Sequence, residues 1–206
     1  MNKLIRVLLP IVMAVVMASP VSGFHQAFAQ GSAELVLEHP AGWELEKGDW
    51  IVANVAENTL QFVREDYSAI SEKIRIGSGK ILDDGKKMYY LGISYDPKTP
   101  EKVWEIREKV QQHWKSVFGS KEAKEQLFLR LFEVKGKERI WTHYGIHTTP
   151  LIDTFFADNG GFASWGCILA RYDLLKKIEA LYELNDHVVR VITTSEDTEV
   201  VMSVLN

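Results

Sequence analysis

The clearest alternation of apolar and polar positions begins at Asp49. Trp50-Ile51-Val52-Ala53-Asn54-Val55 and Thr59-Leu60-Gln61-Phe62-Val63 are rich in β-branched and aromatic residues and are separated by Ala56-Glu57-Asn58, which predicts a hairpin. Residues 71–76, with Ile74 and Ile76 alternating, predict a third strand before a turn at Gly77-Ser78-Gly79, so the chain is expected to open as an antiparallel meander. A short strand is predicted at 88–93, closed by Asp96-Pro97 and Thr99-Pro100. Val103, Ile106, Val110, Trp114 and Val117 recur at helical intervals, although 103–106 reads equally well as a strand. That spacing predicts a helix over 108–118, with a further helical turn or two over 122–131. Residues 139–147 read as a strand. Leu174, Leu175, Ile178, Leu181 and Tyr182 form one apolar stripe, with Asp173 as the expected N-cap, Asn185 as the stop, and a last strand over 188–194. The pattern predicts a mainly β fold with a few helices and no internal repeat.

Before residue 49 the chain reads differently. Lys3 and Arg6 give a positive start, 8–18 an apolar stretch interrupted by Pro10, and Ala27-Phe28-Ala29 a small-x-small cleavage pattern. Residues 1–29 are therefore expected to be an export signal, with Gln30 the new N-terminus; the stretch falls short of the about 20 apolar residues of a spanning helix, and an uncleaved anchor is the alternative. Residues 30–48 are expected to be a lead-in, 49–194 the domain and 195–206 a C-terminal tail.

Composition narrows the function. A chain of 206 residues, 46% hydrophobic and 25% charged, is enough for one domain with a core, and excludes two large domains or a disordered chain. The formal charge of −4 supplies no basic surplus for a phosphate backbone, so no nucleic-acid partner is expected, and loss of Lys3 and Arg6 with the signal would leave the mature chain more acidic. One cysteine excludes an internal disulfide.

In an oxidising compartment that lone thiol, Cys167, reads either as a small buried hydrophobe or as a nucleophile. The nucleophile is the thiolate, and a nearby imidazole can lower the thiol pKa or take its proton. His147 lies 20 positions before Cys167, and Asp158-Asn159-Gly160-Gly161 between them predicts a flexible return. Gly166 leaves the backbone beside the sulfur uncrowded, so N–H groups there can face a developing oxyanion. His143 and His147 invite a metal reading, but on a strand that spacing separates them by about 13 Å. No metal is expected, and His143 is expected to be a packed or surface residue too far from the thiol to serve it. Gly77-Ser78-Gly79-Lys80 lacks the earlier glycine and the following Ser/Thr of a phosphate loop.

Taken in order, Ile146-His147-Thr148 and then Ser164-Trp165-Gly166-Cys167-Ile168 resemble the motif of the L,D-transpeptidase catalytic domain, the YkuD-type family of peptidoglycan cross-linking enzymes. The likeness extends outward: 51–63 resembles the family's opening strand pair, 75–80 its Ser/Thr-Gly-Lys turn, 99–106 its Thr-Pro-x-Gly-x-Phe segment, and 173–194 its closing helix and strand. Three positions depart from the pattern. Trp165 stands where His is frequent, Leu169 where Arg or Asn is common, with Arg171 two residues on, and Pro100-Glu101-Lys102-Val103 lacks the segment's glycine.

The resemblance implies a β-sandwich-like catalytic core and attack by Cys167 on the L,D peptide bond of a peptidoglycan tetrapeptide stem, through a thioester. It implies His147 as base and then acid, a Thr148 carbonyl that orients the imidazole, and oxyanion donors at the Gly166 and Cys167 amides. Trp165 and Tyr144, flanking the motif, are expected to line the substrate groove, with Ser164 and Arg171 also on the substrate side. Expected partners are peptidoglycan stem peptides, with no cofactor and no membrane in the mature form. The chain is expected to be an exported monomer of the periplasm or cell envelope. Two alternatives stay open: an L,D-carboxypeptidase, in which water resolves the thioester, and a catalytically impaired cell-wall-binding domain.

Overall fold

The computed structural model describes residues 43–79, 88–90, 93–95, 97–112, 126–158 and 162–205. The expected export signal, the loop over 159–161 and the helical expectations at 113–118 and 122–125 lie outside them. In chain order the elements are β1 (Trp50–Asn54), β2 (Thr59–Val63), β3 (Ile74–Arg75), β4 (Ser78–Gly79), β5 (Met88–Tyr90), β6 (Ile93–Tyr95), β7 (Val103–Gln112), β8 (Gln126–Lys135), β9 (Glu138–His147), α1 (Ile152–Asp158), β10 (Phe162–Ser164), β11 (Ile168–Leu169), α2 (Tyr172–Leu184), β12 (Val189–Thr194) and α3 (Thr198–Leu205). The chain is mostly β with three helices among the described residues.

One eight-stranded sheet, in the order β11-β9-β8-β7-β12-β1-β2-β3, carries the fold, with two small pairs, β10-β4 and β5-β6, beside it. β1 runs antiparallel to β2 and parallel to β12, Ile51 pairing with Phe62 on one side and Val191 on the other. All five of its residues are buried, which is why it reads as a continuous apolar run. On one face Trp50, Val52, Val63 and Ile192 pack with Met202 of α3, so the expected C-terminal tail is a helix that completes the core. α2 buries its predicted stripe and is tied to the sheet by Tyr182 Oη donating to the Arg107 carbonyl (3.3 Å) and Asn185 Nδ2 to that of Asp49 (2.8 Å).

Several local expectations are corrected. Residues 108–112 are strand, not helix, because they pair with β8, Glu108 with Arg130 and Val110 with Phe128. The helical intervals run through Val103, which is 37% exposed, whereas the buried Trp104 and Ile106 alternate at strand spacing; a register shift follows between Ile106 and Glu108. Residues 126–131 are likewise the start of β8. The expected third strand shrinks to β3, and the expected turn at 77–79 contains β4, which pairs in parallel with β10. The 88–93 strand is two short strands, β5 and β6, paired antiparallel. Asp173 lies in the first turn of α2, where its charge suits the helix dipole, while Arg171 occupies the cap position without a side-chain bond.

Candidate active site

β9 and β11 form the floor of the site. They pair in parallel, Ile168 with Ile146 and Leu169 with His147. One step back along that register stand Cys167 and Gly145. His147, two residues past Gly145 on β9, lies opposite Leu169, two residues past Cys167.

Nδ1 of His147 is 2.9 Å from the Thr148 carbonyl oxygen. A carbonyl only accepts, so the proton sits on Nδ1 and Nε2 is the basic nitrogen. The ring stacks on Phe128 of β8, its register partner, with centroids 5.5 Å apart.

The backbone of His143 comes near the thiol. Between the pairs Arg130–Gly145 and Phe132–Trp141, residues 142–144 face the single β8 residue Leu131, and this bulge brings the His143 carbonyl oxygen to 3.9 Å from Cys167 Sγ.

The loop before the cysteine depends on two glycines. Gly166 has φ +105°, and a Cβ there would stand 2.5 Å from Cε1 of Tyr144. A Cβ on Gly79 of β4 would meet the Pro97 carbonyl oxygen at 1.9 Å and the Gly166 nitrogen at 2.5 Å, so only glycine lets β4 come this close. Ser164 Oγ accepts from the Gly166 N–H (3.2 Å) and donates to the Cys167 carbonyl, which fixes the turn around Cys167.

The expected substrate-side residues separate. Trp165 is 61% exposed. Tyr144 is buried, edge-on to Trp104 at 5.7 Å, and walls the loop from behind; it does not line an open groove because the Gly166 turn is packed over it. Arg171 pairs with Asp153 of α1 (2.8 Å) and lies over the Phe156 ring at 5.7 Å. Leu169 is buried with Ile152 and Phe156, so the position where the resembling family commonly carries Arg or Asn is filled here by an apolar contact with α1.

Burial dominates the electrostatics. It pushes the half-buried Cys167 thiol up to about 11, against the opposing Gly145 N–H and the positive charge of Arg130. Burial also lowers His147, opposed by its bond to Thr148, and lowers His143, helped by Arg130. Both shifts favour the neutral forms of thiol and imidazole, where the sequence suggested a thiol lowered by its imidazole.

Two neighbours of the site carry no signal in the motif. Phe128 supports the imidazole, and Arg130, only 8% exposed, bonds Glu108 through Nε (2.7 Å) and the Thr142 carbonyl through Nη1 (2.9 Å). The available clue was a single charge inside the apolar run Leu127-Phe128-Leu129-Arg130-Leu131-Phe132, since a charge in a buried strand needs a partner.

Residues 48–191 match the family model of the L,D-transpeptidase catalytic domain (YkuD). No curated protein matches the chain. Among solved structures, similarity is found to an L,D-transpeptidase from Xylanimonas cellulosilytica at 15% identity and TM-score 0.41, over 73% of this chain and 62% of that one. Bd1075 of Bdellovibrio bacteriovorus is similar at 18% identity and TM-score 0.44, over 75% of this chain and 51% of that one. The chain thus spans less than two thirds of the length of either.

Proposed function

The chain belongs to the L,D-transpeptidase catalytic-domain family, and on that premise we propose that it is a cysteine-dependent acyltransferase acting on the tetrapeptide stems of peptidoglycan. The observation that carries this reading is the β9–β11 register, which supports Cys167 as nucleophile and His147, its Nδ1 held by Thr148, as base.

In the proposed reaction the Cys167 proton passes to His147 Nε2 as the sulfur attacks the carbonyl carbon of the L,D bond. Because thiol and imidazole are both neutral beforehand, the transfer belongs to the attack itself rather than to a resting ion pair. The Cys167 amide, joined by that of Gly166 once it turns from Ser164 Oγ, donates to the oxyanion. His147 then returns the proton to the leaving amine of the terminal D-residue as the carbon–nitrogen bond breaks, leaving a thioester. The amine of a second stem attacks the thioester, the carbon–sulfur bond breaks and the thiol is restored; water in its place gives the carboxypeptidase. Trp165 offers an exposed apolar wall for the stem. Arg171 can bind a stem carboxylate by exchanging a surface partner, Asp153, whose ion pair is worth at most about 1 kcal/mol. Such a substrate lies outside the cytoplasm, which accords with the export signal expected at 1–29.

One observation favours a second reading, a catalytically impaired cell-wall-binding domain: Leu169 puts no polar group at the family's Arg/Asn position, and the thiol is raised, not lowered. Mass spectrometry of purified protein incubated with tetrapeptide-stem muropeptides separates the readings. A Cys167-dependent acyl adduct with cross-linked product is expected, and Cys167→Ala should abolish both while the protein stays folded. Hydrolysed stems alone identify the carboxypeptidase, bound but unmodified stems the impaired domain. Product formed by Cys167→Ala would reject the nucleophile.

A further inference from the structure

We propose that Arg130 is a positioning residue of the Cys167 site, a buried cation whose charge, tempered by Glu108, sets how readily the thiolate forms. This rests on Cys167 being the nucleophile.

Register puts the residues in one row. Glu108 of β7 pairs with Arg130 of β8, Arg130 with Gly145 of β9, and Cys167 comes next beyond Gly145. The guanidinium is fixed from four directions: by the Glu108 carboxylate, the Thr142 carbonyl, and the rings of Phe128 at 5.1 Å and Trp141 at 4.6 Å. Between cation and sulfur stands a residue with no side chain, and the place a Cβ would take at Gly145 is filled by the Phe128 ring, whose Cζ would be 2.3 Å from it. Ring carbon, not water, covers that position, and a charge acts more strongly across such a medium. The same ring stacks on His147, so one side chain supports both the base and the cation.

A buried guanidinium is costly to desolvate, and an apolar side chain of similar volume could pack between two aromatic rings at no such cost. Its charge therefore calls for a use. Among the described residues, the titratable and charged groups around the thiol are His143 and His147 on β9, Arg130 on β8, and Glu108 on β7 acting through Arg130. β4 and β10 contribute the hydroxyls of Ser78 and Ser164, and Asp153 of α1 is held by Arg171. Of the two fixed positive charges here, Arg171 is paired with Asp153, while Arg130 acts on the thiol and opposes the burial that raises it.

The test is the rate of Cys167 alkylation by iodoacetamide at a fixed pH below the thiol pKa, where a shift of one unit changes the rate about tenfold. Arg130→Met is expected to slow labelling roughly 3- to 10-fold, Arg130→Lys to stay within about 3-fold of the wild type, and Glu108→Gln, which removes the counter-charge, to speed it about 3-fold. A merely structural role would loosen the site in both Arg130→Met and Glu108→Gln and move both rates the same way. Equal or faster labelling of Arg130→Met, or no acceleration in Glu108→Gln, overturns the role. If Arg130→Met does not fold, Glu108→Gln alone decides. Failure of the transpeptidase reading would appear separately, as absent acyl transfer in a wild type whose labelling still follows this order.

Discussion

Asp49 and Arg130 are buried charges at different places in the same sheet, and their surroundings differ in kind. Asp49, just before β1, is closed off by local partners, the Glu46 N–H at 2.7 Å and Arg64 Nε at 3.3 Å, in a region where every side chain of β1 is buried. Arg130 is gathered from three strands and faces a thiol. Around Asp49 the register serves packing alone, and the charge only ties the lead-in to the sheet. Around Arg130 the register passes through a bulge and a glycine and ends at a half-buried thiol. A fold can hold function and stability in one sheet because strands share backbone pairing without sharing the work of their side chains.

That contrast is open to direct attack. Phe62 of β2 is wholly buried, and Phe62→Ala should cost about 3–5 kcal/mol of stability, read by denaturant melts, while the folded protein keeps its Cys167 labelling rate. A changed labelling rate in the folded state would mean that the two regions are coupled. His147→Ala reverses the pattern: acyl transfer should fall roughly 100-fold or more, while the lost stack on Phe128 costs no more than about 1.5 kcal/mol. A near-normal rate in that variant would remove His147 as the base.

The smallest expected effect is in alkali. The folded thiol titrates near 11 against an ordinary 9.0, so the stability it lends is complete below pH 9.0 and is lost as pH rises through about 11. The loss amounts to about 2–3 kcal/mol at full extent. Wild type should therefore lose more stability than Cys167→Ala between pH 8 and 11 in paired melts. Parallel curves would mean that the thiol is not held protonated by burial.

The sequence discloses these two regions unequally. β1, β2 and β12 are legible as short β-branched and aromatic runs, and α2 by its single apolar stripe. β7 is not: exposed Val103 falls in step with Ile106 and Val110 at helical intervals, and over so few apolar positions spacing does not separate a strand from a helix. The proposed pair of His147 and Cys167 is suggested by the sequence because the motif that carries it lies in two short segments. Arg130 and Phe128 are not, because their role comes from pairing β8 with β9, and no local spacing encodes which residue of β8 will face Gly145. Tyr144 misleads for a related reason: adjacency to the motif in sequence put it in the groove, whereas the fold puts it behind the loop.

The place of β12 has a consequence for how the molecule comes into being. It lies between β7 and β1, so this strand, the last among the described residues, joins the strands that precede it into one sheet. Until residues 189–194 are available, β1 to β3 have no partner for the open edge of β1, and the hairpins of β7 to β9 have none for β7. Such closure joins residues as far apart as Ile51 and Val191, a separation that slows folding because the intervening chain must be ordered before the contact repays it. A chain emerging N-terminus first would hold an incomplete sheet until residues 189–194 had been made, with two open strand edges waiting for the same six residues.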